Sequence, residues 1–217
     1  MSRILIAVPS MDMVSARFAQ SLAMLEKVED TYVSFITSSL IYDSRNQFCE
    51  QAIKLEVDYI LWLDSDIVFP PNTLKKLLSD IRDQNLDIVS GLYYRRGYPY
   101  TPVLFSKLER DSKNSAEFEG VTEIPDDLFE VAGCGFGCVL MKTDVLFDIA
   151  SRELNTWFSP MGNIGEDCSF CVRAREYGYK IYCDPTIKLG HMGYIPITRD
   201  IYENMNGDNN GKPVNPS

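Results

Sequence analysis

From Arg3 to Gly91 the chain alternates between short apolar runs and longer stretches with helical spacing. Arg3 to Pro9 is an apolar run of strand length that stops at Pro9-Ser10. Between Val14 and Val28 apolar residues recur at Phe18, Leu22, Leu25 and Val28, which puts them on one face of a helix. Tyr32 to Thr37 alternates and is rich in β-branched and aromatic residues, the signature of a second strand. Asp43 or Ser44 can cap a helix running to about Leu55. Asp58 to Leu63 is a third, buried strand. Pro70-Pro71 opens a helix from Asn72 to Gln84, because proline is tolerated in a first turn whose N–H groups lack intrahelical acceptors. Asp87 to Gly91 is a fourth strand. This order predicts an α/β fold with a mostly parallel central sheet and helices on both faces. In such sheets ligands bind beyond the carboxyl ends of the strands. That rule draws together Pro9-Ser10, Thr37-Ser38-Ser39 and Asp64-Ser65-Asp66.

The second half is less regular. Tyr100 to Leu108 reads as extended, and the polar stretch from Lys107 to Asp127 as a surface loop or hairpin. Phe129 to Met141 is extended and carries Gly133, Gly135 and Gly137. Thr143 can cap a short helix from Asp144 to Ala150. A longer helix spans Glu166 to Tyr177 and stops at Gly178. Lys180 to Cys183 and Thr186 to Leu189 are short strands. The segment after Tyr202 is polar, with Gly, Asn and Pro throughout, and reads as a flexible tail. No internal repeat or second domain is evident.

Composition narrows the class. The chain has 217 residues, 45% apolar and 24% charged, which suits one globular domain. No run approaches the roughly 18 apolar residues of a membrane span, and the N-terminus lacks the h-region of a signal peptide, so a cytoplasmic protein is expected. Six cysteines fit that compartment: Cys49, Cys134, Cys138, Cys168, Cys171 and Cys183. Two close pairs, Cys134/Cys138 and Cys168/Cys171, lack the turns of a zinc knuckle and read as buried thiols. A net charge of −10 disfavours a surface that grips nucleic acid throughout. One basic strip, Tyr93 to Tyr100, mixes aromatics with Arg95 and Arg96. It suits a sugar, a phosphate or an unstacked base, or else is a solvated loop.

Three places could carry chemistry. Asp64 and Asp66 follow the buried run Leu61-Trp62-Leu63, one at the strand tip and one in the turn beyond. Carboxylates at a strand end need donors or a cation, and hard oxygens suit Mg²⁺ or Mn²⁺. Taken alone, the pair could equally be an acidic turn ahead of the next helix. Glu166 and Asp167 open a helix, a placement its dipole favours in any case; functionally, such an acid can serve as a general base. His191, the single histidine, lies between Gly190 and Gly193 and could complete a mixed oxygen–nitrogen coordination sphere.

Taken in order, Ala7-Val8-Pro9-Ser10, Ser44-Arg45-Asn46, Leu63-Asp64-Ser65-Asp66, Gly165-Glu166-Asp167 and Leu189-Gly190-His191 resemble family 2-like glycosyltransferases of the GT-A (Rossmann-like) fold, of the kind found in bacteria and phages. The resemblance runs from Ile4 to Gly193. It implies one catalytic domain over residues 1–200, with a nucleotide-binding half (1–91), a smaller acceptor-side β region (92–200) and the tail 201–217. It implies Mn²⁺ or Mg²⁺ at Asp64, Asp66 and His191, and a nucleotide-sugar donor, UDP-linked first among the choices. That donor would lie against Pro9, Ser10, Thr37, Arg45, Asp64 and Ser65. Asp167 would be the base of an inverting transfer and Glu166 would bind acceptor hydroxyls. Tyr94, Arg95, Gly135 and Phe136 would border the acceptor, with missing glycine Cβ atoms leaving room for a sugar. Many such enzymes carry an acid at the end of the second strand, where this chain has Thr37-Ser38-Ser39. The alternatives are a non-catalytic nucleotide-sugar- or glycan-binding module of the same fold and, last, a metal-dependent phosphohydrolase or nuclease.

Overall fold

The computed structural model describes residues 2–28, 30–110, 116–151, 156–194, 198, 199 and 201. The expected alternation is present: β1 (Ile4–Ser10), α1 (Ala16–Met24), β2 (Thr31–Thr37), α2 (Ile41–Lys54), β3 (Tyr59–Leu63), β4 (Ile67–Val68), α3 (Thr73–Asp83) and β5 (Ile88–Leu92). Two helix ends differ from expectation. The apolar spacing runs to Val28, but α1 stops at Met24, because Leu25 turns to an extended ψ and Glu26 N–H donates to the Pro71 carbonyl (2.8 Å). At its start the Ser15 hydroxyl accepts from Phe18 N–H (3.1 Å). Helix α2 begins at Ile41, ahead of Asp43 and Ser44, so neither is its cap. Asp43 instead accepts from Gln47 one turn on (2.7 Å), and Ser44 is buried.

The second half supplies β6 (Leu104–Arg110), β7 (Ala116–Gly120), β8 (Phe129–Val131), β9 (Gly133–Cys134), β10 (Cys138–Lys142), α4 (Asp144–Ala150), α5 (Glu166–Glu176), β11 (Ile181–Lys188) and β12 (Gly190–His191). The polar stretch after Leu104 is a β6–β7 hairpin. The expected extended run from Phe129 breaks into three strands. The two short strands expected near the end are one, β11, with an irregularity after Asp184. The tail from residue 202 onward lies outside the described residues.

The main sheet has the order β2-β1-β3-β10-β5-β11-β8. Strands β2, β1, β3, β5 and β11 run the same way, while β10 and β8 run against them. The antiparallel β10, inserted between β3 and β5, is the departure from a simple alternating sheet. All its residues except Lys142 are buried, as a central strand requires. Side chains alternate across the sheet. Leu5, Ala7, Trp62, Val139 and Met141 face α2, α4 and α5, while Ile4, Ile6, Val8, Leu61 and Leu63 face α1 and α3. Two apolar layers result, and each fully buried aliphatic side chain contributes about 1.5–3 kcal/mol to holding them. A three-stranded sheet, β7-β6-β9, and a short antiparallel ribbon of β4 with β12 complete the fold. No helix among the described residues is long and apolar enough to cross a membrane.

Beneath α3, Asp184 of β11 accepts from the backbone N–H (2.8 Å) and hydroxyl (2.6 Å) of Thr186, with Lys76 3.7 Å away. Burial, then the charge of Asp184 and a hydrogen bond to it, push the Asp80 carboxyl up to about 6. A folded-state value above that of the unfolded chain means that protonated Asp80 stabilises the fold. The contribution is complete below pH ~4 and disappears as the pH rises through ~6. Asp80→Asn keeps a donor toward Asp184 without the negative charge. It should raise the thermal midpoint at pH 7.5 by roughly 2 °C and leave it unchanged at pH 4, as read by unfolding scans at the two pH values.

Candidate active site

Strands β1, β2 and β3 end side by side, with Ser10 paired to Thr37. Beyond their tips lies a pocket of about 250 Å³ lined by Pro9, Ser10, Ser38, Ser39, Ser44 and the Asp64-Ser65-Asp66 turn, with Met11 and Ile41 as apolar walls. Thr37 itself stops one residue short of this lining. The turn is built by backbone. Asp64 N–H donates to the Gly137 carbonyl, and the Asp64 carbonyl accepts from Ile67 N–H, both at 3.0 Å. The chain then enters β4, whose partner β12 carries His191 opposite Ile67. Met192 N–H donates to the Asp66 carbonyl (2.8 Å). The short ribbon thus carries a residue from near the C-terminus onto the acidic turn.

His191 Nε2 lies 3.4 Å from Asp66 Oδ2. Its Nδ1 is 2.8 Å from the Tyr94 carbonyl, an acceptor, so Nδ1 carries a proton. The neutral ring therefore turns its Nε2 lone pair toward a carboxylate oxygen. Two acceptors so close require a proton or a cation between them. With the proton there, the hydrogen bond that Nε2–H donates to Asp66 lifts the His191 pKa above the ordinary imidazole value. Burial works to raise Asp66, but His191 and Arg96 outweigh it and hold the carboxyl low. Arg96 Nη1 lies 2.9 Å from the same Asp66 oxygen. A backbone-oriented imidazole beside a carboxylate is the arrangement of a metal ligand pair. No three His, Cys, Asp or Glu side chains converge among the described residues. Asp66 and His191 are the residues that would hold a divalent ion, and a carboxylate oxygen with an imidazole nitrogen suits Mn²⁺ or Mg²⁺.

Asp64 turns the other way. Its Oδ1 pairs with Arg45 Nη2 at 3.1 Å, and Asp167 Oδ1 lies 3.4 Å from the same nitrogen. Arg45 is 1% exposed, so the donor contact expected of it is replaced by this ion-pair bridge beneath the pocket. Its guanidinium sits 5.6–5.7 Å from the ring centroids of Trp62, Phe136 and Phe158. Burial alone would lower its pKa, but Asp167, Asp64 and Glu166 outweigh that and keep it protonated. Burial pushes the Asp64 carboxyl up to about 6 even though Arg45 opposes the shift. Asp167 opens α5, and its Oδ2 accepts from Phe136 N–H (3.1 Å). Glu166, half-buried beside it, is raised by burial and then by the Asp167 charge.

Two residues expected on the acceptor side lie elsewhere. Phe136 is fully buried, packed on Trp62, Phe158 and Phe170. Gly135 makes room not for a sugar but for Tyr93: a Cβ there would collide with the Tyr93 hydroxyl, and one on Gly137 would lie 2.8 Å from Tyr93 Cζ. Tyr93 is itself buried, meets His191 edge-on at 5.4 Å and accepts from Gly137 N–H (3.2 Å). Tyr94 is 43% exposed and touches the site through its carbonyl, and Arg95 is exposed. Tyr93 and Arg96 were read only as parts of the basic strip and not as residues of the acidic site. Two glycines flanking one phenylalanine were a signal for a bulky group packed against them. Nothing in the sequence separated Arg96 from Arg95. Of the six thiols, all but Cys168 are buried, and Cys171 Sγ lies 3.5 Å from the Cys134 carbonyl.

A mixed sheet with helices on both faces, strand ends converging on an acidic turn and an antiparallel strand beside it is the GT-A glycosyltransferase fold. Its likeness to solved structures is extensive. A197 from STIV superposes with a TM-score of 0.65 at 21% identity, covering 88% of this chain and 86% of that one. GalNAc-T7, solved with UDP, GalNAc and Mn²⁺, superposes at 0.61 with 9% identity, covering 90% of this chain and 44% of that one. The mannan polymerase complex subunit mnn9 of Schizosaccharomyces pombe is 26% identical over 176 residues, covering 68% of this chain and 50% of its own length. The chain thus spans half the length of that curated relative. Residues 31–147, just over half of the chain, match Glycosyl transferase family 2, and the protein belongs to that family.

Arg45→Met leaves two carboxylates facing each other without a cation. Removing one partner of a buried ionic group costs about 3–5 kcal/mol. Chemical denaturation should show a loss near that size at pH 8 and a smaller one at pH 5, where Asp64 takes up a proton.

Proposed function

We propose that the protein transfers a sugar from a nucleotide-diphosphate sugar to an acceptor hydroxyl, with inversion and with help from Mn²⁺ or Mg²⁺. The observation that carries this reading is the meeting of Asp66 and His191 at the edge of the pocket beyond β1 and β3. The nucleoside lies against Pro9 and Ser10, with Ser38 and Ser39 standing where an acid is common, and Ser65 lies under the diphosphate. UDP is the leading nucleotide, a choice supported by the UDP and Mn²⁺ named with GalNAc-T7. The mannan polymerase subunit supports a glycan acceptor. Residues 1–91 then supply most of the donor side and residues 92–200 the acids and the histidine.

Asp66 and His191 would hold the divalent ion, which would supply positive charge to offset that developing on the departing diphosphate. The protein's residues do the rest. The acceptor oxygen forms a bond to the anomeric carbon as the bond from that carbon to the diphosphate oxygen breaks. The acceptor proton passes to a carboxylate, and the nucleoside diphosphate leaves. Asp167 is the base in the first reading, with Glu166 binding acceptor hydroxyls.

One observation favours exchanging these roles. Asp167 Oδ1 is buried against Arg45 and Oδ2 takes the Phe136 N–H, whereas Glu166 is half-buried with a raised pKa suited to accepting a proton. In the second reading Asp167 positions the site and Glu166 is the base.

Asp66→Ala should abolish the calorimetric binding of UDP in the presence of Mn²⁺; binding like the parent's would remove Asp66 from the ion. Asp167→Asn and Glu166→Gln should both keep UDP·Mn²⁺ binding. The variant of the true base should lose roughly 10²–10⁴-fold in turnover, measured as UDP release in a screen of donors and glycan acceptors.

A further inference from the structure

Arg96 and His191 converge on one oxygen. Arg96 Nη1 is 2.9 Å and His191 Nε2 is 3.4 Å from Asp66 Oδ2. An atom proposed above as a cation ligand already holds a cation, supplied by the protein. The backbone around Arg96 is anchored: Arg95 N–H donates to the Thr101 carbonyl (2.9 Å), the Tyr94 carbonyl binds His191, and Tyr94 bridges Pro102. The stem of Arg96 lies along Gly193, where a Cβ would come within 3.4 Å of Arg96 Cβ. The guanidinium, by contrast, is on an exposed arm, with side-chain exposures of 56% for Arg96 and 34% for Asp66. Exposed pairs of this kind open at little cost.

We propose that Arg96 caps Asp66 in the donor-free protein and moves to the donor's diphosphate when ion and donor bind together. This inference rests on the reading of Asp66 and His191 as ion ligands. A guanidinium and a divalent ion compete for the same carboxylate oxygen and repel each other across it, so arrival of the ion favours release of the arm. A diphosphate held beside that ion then offers Arg96 a doubly accepting partner that its planar fork matches better than one carboxylate oxygen. Ion and donor therefore assist each other's binding, and the Asp66–His191 pair keeps a low affinity for an ion alone. Among the described residues Asp66 pairs with Arg96 and His191 and not with the exposed Arg95, so the two neighbouring arginines differ in their contact with the acidic turn.

The test has two arms with opposite signs. Mn²⁺ binding without nucleotide is followed by the loss of the free-ion paramagnetic signal in the parent, Arg96→Ala, Arg95→Ala and Asp66→Ala. UDP is then titrated calorimetrically onto Mn²⁺-saturated protein. Arg96→Ala should bind Mn²⁺ roughly fivefold more tightly and then bind UDP roughly tenfold more weakly. Arg95→Ala should stay within about twofold of the parent in the Mn²⁺ arm, the range of an exposed charge without a close partner. A merely structural Arg96 would weaken both arms in its variant. If Asp66→Ala loses Mn²⁺ but Arg96→Ala leaves its affinity unchanged or weaker, the cap is wrong and the ion site stands. If Arg95→Ala tightens Mn²⁺ equally, net charge is the cause and the cap is again wrong. If Arg96→Ala tightens Mn²⁺ without weakening UDP, the diphosphate contact is overturned. If Asp66→Ala binds Mn²⁺ like the parent, or neither the parent nor Arg96→Ala binds it, the ion reading itself falls and the cap with it.

Discussion

The site is organised around one buried positive charge. Arg45 enters from α2 and ends among Trp62, Phe136 and Phe158, with almost no contact with water. A guanidinium in such surroundings is costly unless carboxylates offset it. Asp64 comes from the end of β3 and Asp167 from the first turn of α5, and each supplies an oxygen to the same Nη2. The reverse dependence is as strong, because without the cation the two acids would repel each other at the edge of the core. Electrostatics thus fix the spacing between the acidic turn beside the pocket and the acid pair on α5. Arg45 Nε lacks a hydrogen-bond partner among the described residues, so the bridge carries some unrelieved desolvation.

A single glycine-bearing segment transmits that constraint. Gly137 accepts from Asp64 N–H through its carbonyl and donates its own N–H to the Tyr93 hydroxyl. One residue earlier, Phe136 donates to Asp167, offers its carbonyl to Arg45 at 3.5 Å and packs its ring against Trp62. The segment is held in place because β10 follows it directly and pairs with β3 on one side and β5 on the other. Tyr93 in turn supports the His191 ring. The acidic turn therefore rests on an antiparallel strand inserted into an otherwise parallel stack, and on a tyrosine that only glycines could accommodate.

The other side of the turn is built more loosely. The β4–β12 ribbon contains two residue pairs, yet it sets His191 against Asp66. Arg96 and Asp66 are partly exposed. The Arg45 cluster is buried and bridged by two acids, while the Asp66 cluster contains a half-exposed arm. A binding site that must take up and release a charged ligand needs both kinds of neighbourhood.

The alternation of strands and helices up to Leu92 was legible in the chain because it depends on the spacing of neighbouring residues, which fixes the buried face of each element. The acidic pair could also be read, since charges directly after a buried apolar run can only lie at a strand end. The antiparallel direction of β10 could not: its residues are apolar on both faces, a pattern that any central strand shows regardless of direction. The sequence displayed Arg45, Arg96, Gly135 and Phe136 without their partners, and three of them, Arg45, Gly135 and Phe136, were expected to line a ligand. Each of those contacts joins segments far apart in the chain, so register and packing of the whole sheet decide them. Local pattern selected the kinds of residue at the site, and tertiary structure chose which of two adjacent arginines meets Asp66 and which acids share the buried cation.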